Sequence, residues 1–150
     1  MKKKILFVIN SLNCGGAEKA LISLLETMDY SKFDVDLLLF KQEGIFMSKI
    51  PVQVNLLPEP ENYKYFDMSI KKAIIDLIKK GKFDIALARI LSLYVFKTEK
   101  SMSVVEQKVW RYLAKGFDNL PIEYDAAIGY LEKNPVYFCV DKVKAKKKIG

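Results

Sequence analysis

The stretch Lys4-Ile5-Leu6-Phe7-Val8-Ile9-Asn10-Ser11-Leu12-Asn13-Cys14-Gly15-Gly16-Ala17-Glu18 decides how the rest of the chain is read. Its first part is an unbroken apolar run behind a charged start, the pattern of a strand buried on both faces. Beyond the glycines, apolar residues recur at Ala17, Ala20, Leu21, Leu24, Leu25 and Met28, which is one face of a helix. The segment is therefore a strand, a tight polar loop and an amphipathic helix over about Gly16 to Asp29. A loop of this kind brings backbone N–H groups and the positive end of a helix toward an anion. A plain strand-to-helix turn gives the same pattern, and both readings stand at this point.

Working outward, a second apolar run at Val35–Phe40 completes a strand–helix–strand unit, whose crossover is expected to be right-handed. Val52, Val54 and Leu56 alternate and predict a short third strand after Pro51. Pro58 and Pro60 then break the chain. Asp67 or Ser69 is positioned to cap a helix with its stripe at Ile70, Ala73, Ile74, Leu77 and Ile78, closed by Gly81. Ile85 to Phe96 is apolar nearly all round and reads as a buried or interfacial helix. A third helix, about Val104 to Lys115, presents Val105, Val109, Tyr112 and Leu113, with Trp110 on its flank. Asp125–Leu131 is the next strand, and Pro135 suits the first turn of a short helix running to about Val143. Lys142–Gly150 reads as the approach to another strand, so the chain is expected to be a piece of something longer. The fold class that follows is α/β, a Rossmann-like parallel sheet flanked by helices. Residues 1–150 are expected to form one such domain, cut before its last strands.

Composition limits the function. Hydrophobic residues make up 51% of the chain and charged residues 29%, a globular balance with no apolar run near the roughly 20 residues of a membrane-spanning helix. The basic, apolar start lacks the small-residue site of a signal peptide. Cys14 and Cys139 lack metal-ligand spacing and point to free thiols in a reducing, cytoplasmic setting. With no histidine, neither a Ser-His triad nor a histidine metal site can be built. No metal and no resident cofactor are expected. The net charge of +7 is uneven: residues 64–115 carry twelve basic and five acidic residues, while residues 5–63 carry four and eight. Only Arg89 and Arg111 are arginines, so a nucleic-acid clamp is disfavoured. The basic middle beside the apolar helix suits either an anionic membrane surface or a core helix with solvated lysines around it.

The Gly15-Gly16 loop departs from both the dinucleotide and the NTP-binding patterns: its glycines are adjacent, and no Gly-Lys-Ser/Thr follows. A second candidate is Glu132, just past the fourth strand. Open α/β sheets bind ligands at the carboxyl ends of their strands, beside the point where strand order reverses. If the first and fourth strands are neighbours there, Ser11–Gly16 and Glu132–Asn134 share one crevice; otherwise Glu132 is a solvated loop acid. Cys14, near a helix N-terminus, is either an activated thiolate or an inert thiol.

Residues 4–21, with Gly15-Gly16-Ala17-Glu18 leading into the first helix, resemble the opening of group 1 (family 4) glycosyltransferases. Asp125–Glu132, with Pro135 and Lys146–Ile149 beyond, is similar to a later strand and loop of some bacterial members. The resemblance covers residues 3–57 and 123–150 and is vague between them. It implies the N-terminal, acceptor-side half of a two-domain GT-B enzyme, serving polysaccharide or glycolipid synthesis at the inner face of a membrane. In this scheme Asn13, Cys14, Gly15, Gly16 and Ala17 border the donor diphosphate, and Ser11, Glu18, Glu132 and Asn134 line the cleft. Sugar transfer from the nucleotide-sugar to a glycan or lipid-linked acceptor is metal-independent and retaining in the family. The catalytic residues and the nucleotide-sugar domain are expected beyond Gly150. The competing reading is a non-catalytic α/β binding or regulatory module.

Overall fold

The computed structural model describes residues 1–131 and 133–150, side chains included except that of Ser103. The chain divides into two compact units, one of residues 1–59 and 119–150 and one of residues 60–118.

The first unit holds the sheet. Strand β1 (Lys3–Ile9) leads through the Gly-Gly loop to α1 (Gly16–Thr27), then β2 (Phe33–Leu39) and a two-residue β3 (Asn55–Leu56). After the second unit the chain returns as β4 (Glu123–Gly129), a helix over Asn134–Lys142 and a final strand over Lys144–Ile149, named α6 and β5 below. All five strands are parallel, in the order β3-β2-β1-β4-β5. The expected α/β class and parallel sheet are therefore present. β1 to β2 and β4 to β5 step in opposite directions across the sheet, so right-handed crossovers place α1 and α6 on opposite faces. On one face Phe7, Ile9, Val35, Leu37 and Leu39 pack with Leu21, Ile22 and Leu25 of α1. On α6, Phe138 meets Phe40 edge-on at 5.6 Å, and Phe138 and Cys139 are fully buried.

Two expectations change here. The strand predicted over Val52–Leu56 is reduced to Asn55–Leu56, because the N–H of Val54 turns back to the carbonyl of Pro51 at 3.0 Å and leaves Val52 fully exposed. The lysine-rich end is not an approach to a strand but the strand itself, paired with β4 from Glu123↔Lys144 to Ile128↔Ile149. A strand with one neighbour and little cover tolerates charged side chains on both faces, which hydropathy patterning alone does not anticipate.

A buried charge lies inside β2. Asp36 is 2% exposed and satisfies its carboxylate with Asn55 Nδ2 at 2.8 Å, the Tyr124 hydroxyl at 2.7 Å and Lys4 Nζ at 3.5 Å. This ties β1, β2, β3 and β4 together through one group, as a buried carboxylate requires.

The second unit is helical: α2 (Lys64–Asp67), α3 (Ile70–Lys79), α4 (Phe83–Thr98) and α5 (Met102–Leu113), which runs into a 3-10 turn at Ala114–Gly116. Asp67 closes the one-turn α2, and Ser69 stands at the start of α3, without a side-chain cap bond. Gly81 ends that segment at φ +69°, as a left-handed helix stop. Tyr65, Ala73, Leu77, Ile85 and Ala86 form its core. Trp110, expected on a flank, instead faces inward at 5% exposure and stacks at 5.7 Å on Phe117, which also meets Tyr63.

Burial, with the Asp36 carboxylate behind it, pushes the Tyr124 phenol above its ordinary value. The unfolded chain then loses this proton at lower pH than the folded one, so stability is full below about pH 10 and falls above it. Urea denaturation across that range should show the fall, and Tyr124→Phe should flatten it while lowering stability at neutral pH by about 1–2 kcal/mol.

Candidate functional site

β1 and β4 are hydrogen-bonded neighbours, with Val8 opposite Gly129. Strand order reverses between them, so the loop after β1 and the loop after β4 flank the switch point of the sheet. The shared crevice, conditional in the sequence, thus has its topological requirement met.

The first loop is held from below. Leu12 is fully buried; its N–H donates to the Glu43 carbonyl at 2.9 Å, and its carbonyl accepts from Phe46 N–H at 3.1 Å. Between those partners Gly44 adopts φ +121°, and a Cβ there would sit 2.0 Å from the Leu12 oxygen. The connector after β2 is therefore a clasp on the Gly-Gly loop, a role the sequence reading did not assign. The one available sign was a lone glycine in an otherwise unremarkable connector.

Above the clasp, Asn13, Cys14 and Gly16 are exposed, and Ser11, Gly15, Ala17 and Glu18 are half-buried. Asn13 Nδ2 donates to Ser11 Oγ at 2.9 Å, which braces the loop internally. α1 starts at Gly16 after an extended Gly15, and no side-chain hydrogen bond caps it. The N–H groups of its first turn are thus uncapped by side chains at the positive end of the helix. Gly16 has open space where a Cβ would stand, with nothing within 4 Å. Gly15 does not: an oxygen of the Glu18 carboxylate lies 2.1 Å from the position a Cβ would take. Glu18 therefore folds back over the helix start and places its own negative charge beside it.

The second loop is tightly packed. Tyr130 N–H donates to the Val8 carbonyl at 2.8 Å, and its ring meets Phe7 edge-on at 6.5 Å. A Cβ on Gly129 would fall 2.6 Å from the Val136 Cα, so only glycine lets α6 dock this closely on β4. Leu131 and Lys133 take left-handed backbone, at φ 73° and 71°. Asn134 opens α6 and is half-buried, with Pro135 buried behind it. Glu132 lies outside the described residues.

Of the predicted site residues, Ser11, Asn13, Cys14, Gly15, Gly16, Ala17 and Glu18 share one loop and helix start, and Asn134 stands on the neighbouring one. Cys14 is an exposed free thiol, whereas burial pushes the Cys139 thiol up to about 12 and keeps it protonated at neutral pH. A cavity of about 500 Å³ lies at the other, amino-terminal end of the strands. Its lining includes two ion pairs, Lys2 with Asp34 at 3.6 Å and Lys146 with Asp125 at 2.7 Å. Comparisons with models of known families, with curated proteins and with solved structures find no match.

Gly44→Ala and Gly129→Ala should each cost about 2–4 kcal/mol, since each added methyl meets backbone rather than a movable side chain. Gly16→Ala should leave stability within about 1 kcal/mol of the parent. Urea midpoints of the three variants provide the check.

Proposed function

We infer that this chain is the N-terminal, acceptor-side half of a glycosyltransferase that moves a sugar from a nucleotide-sugar to a glycan or lipid-linked acceptor. The observation that carries the reading is the reversal of strand order between β1 and β4, which sets the Gly15-Gly16 loop beside the β4 loop at a ligand-binding position of such sheets. The resemblance of residues 4–21 supplies the reaction class, with retention of configuration and no metal. In this role the open space at Gly16 admits a diphosphate to the N–H groups of Gly16 and Ala17, and fixed dipoles offset the charge of the leaving group. Asn13 and Ser11 hold the loop in shape. The catalytic groups and the nucleotide-binding wall belong to a second domain, so the 150-residue chain by itself does not transfer sugar.

One observation favours the non-catalytic module instead. The Glu18 carboxylate already lies over the helix start, where it partly serves the positive end without any ligand.

Both readings can be tested on the isotope-labelled chain with inorganic pyrophosphate as the probe. The transferase reading expects weak, saturable shifts of the Gly15, Gly16 and Ala17 amides. Gly16→Val should abolish them without unfolding the chain, and Glu18→Gln should tighten binding severalfold by removing the competing charge. Incubation with nucleotide-sugars should give no turnover. Absence of pyrophosphate shifts in both the parent and Glu18→Gln, or turnover by this chain alone, would overturn the assignment as stated.

A further inference from the structure

The side of α4 turned away from its own core carries a narrow apolar row. Ile85, Ala86, Ala88 and Ser92 are buried on one side. Phe83, Leu87, Ile90 and Tyr94 lie opposite and are 64%, 54%, 46% and 67% exposed. They are spaced four, three and four residues apart, and at about 100° per residue they fall within an arc of about 60°. A helix face that covers a core spans roughly 100° or more, whereas a row this narrow, at this spacing, is the seam of a helix pair. Among the described residues no helix is long and apolar enough to cross a membrane.

The row is complementary to itself. Turned antiparallel about a two-fold axis level with Ala88 and Arg89, two copies of α4 set Phe83 of each against Tyr94 of the other, and Leu87 against Ile90. Aromatic pairs then close both ends of the seam, and aliphatic pairs fill its middle. The charges agree with this sense of packing. Asp84 stands at the start of α4 and Lys97 at its end, and neither forms an ion pair among the described residues. Antiparallel packing lays the acidic start of each helix beside the basic end of the other and opposes the two helix dipoles. Parallel packing would set Asp84 against Asp84 and Lys97 against Lys97. Each of the four side chains offers roughly 100 Å², so two copies would bury about 800 Å². That is below the ~1,000 Å² of stable interfaces and fits a weak dimer, half formed at roughly 100 µM.

We propose that two copies of this chain pair through the outward face of α4, antiparallel, as a weak homodimer. The pairing does not rest on the glycosyltransferase reading, since it uses no residue of the Gly-Gly loop.

Sedimentation equilibrium of the whole chain from about 10 µM to about 1 mM tests it. The average mass should rise from monomer toward dimer across that range. Leu87→Glu combined with Ile90→Glu should stay monomeric throughout, with an unchanged melting temperature in dilute solution, because both side chains are exposed. Orientation is read from cysteine variants that also carry Cys14→Ser. When mixed under mild oxidation, Phe83→Cys and Tyr94→Cys copies should form a disulfide with one another, and neither should link to itself. A chain that stays monomeric to about 1 mM, whether or not it binds lipid vesicles, would overturn the proposal. So would a dimer that the glutamate variant leaves intact. Self-linking of either cysteine variant alone would overturn the antiparallel arrangement.

Discussion

The parallel pairing of β1 with β4 is the constraint on which the first unit depends. It joins two strands that lie more than 110 residues apart in sequence, with register Ile5↔Ala126 through Val8↔Gly129. Without it β1–α1–β2 is one isolated crossover unit, and β4–α6–β5 is another. With it the sheet acquires a centre, two covered faces and a reversal of strand order. The close approach at Gly129 and the Tyr130–Val8 hydrogen bond fix the end of this pair where the candidate site lies. The Asp36 carboxylate fixes the same strands from within, and its buried charge is tolerated because Lys4, Asn55 and Tyr124 all reach it.

The candidate site follows from that framework. Backbone amides act as preorganised donors only on a held loop, and this loop is held by Leu12 and the Gly44 turn rather than by Gly15 and Gly16. Glu18 has two faces in this arrangement. It steadies an uncapped helix start, and it competes for the charge that an anionic ligand would use. The helical unit is a separate construction, with its own core around Tyr65 and Leu77 and an outward apolar face on α4.

Much of this architecture was legible in the residues. The β1 run, the α1 stripe, the Val35–Phe40 run and the punctuation by Pro58, Pro60 and Gly81 led to the right elements within a few residues. Local pattern misleads where tertiary contacts override it. Val52 alternates correctly for a strand but belongs to a turn started by Pro51, and Trp110 sits between helical faces yet is drawn in by Phe117. β5 carries four lysines in six residues and forms because β4 offers an edge, not because its sequence favours a strand. In the site, the Gly-Gly loop was visible as a motif, whereas the clasp from Gly44 was not, since a glycine in a connector does not name the backbone it approaches.

The sequence by itself determined the α/β class, the position of the tight polar loop and the excess of lysine between residues 64 and 115, because periodicity, glycine placement and charge are local properties. Only the tertiary structure decided which strands are neighbours, that Asp36 is buried and satisfied, and which side of the apolar α4 is left exposed. Those depend on contacts between residues far apart in the chain, and hydrophobic pattern states that a face must be covered without saying by what. The Gly15-Gly16 loop belongs to both accounts: its residues were set by sequence, and its place at the switch point by the pairing of β1 with β4.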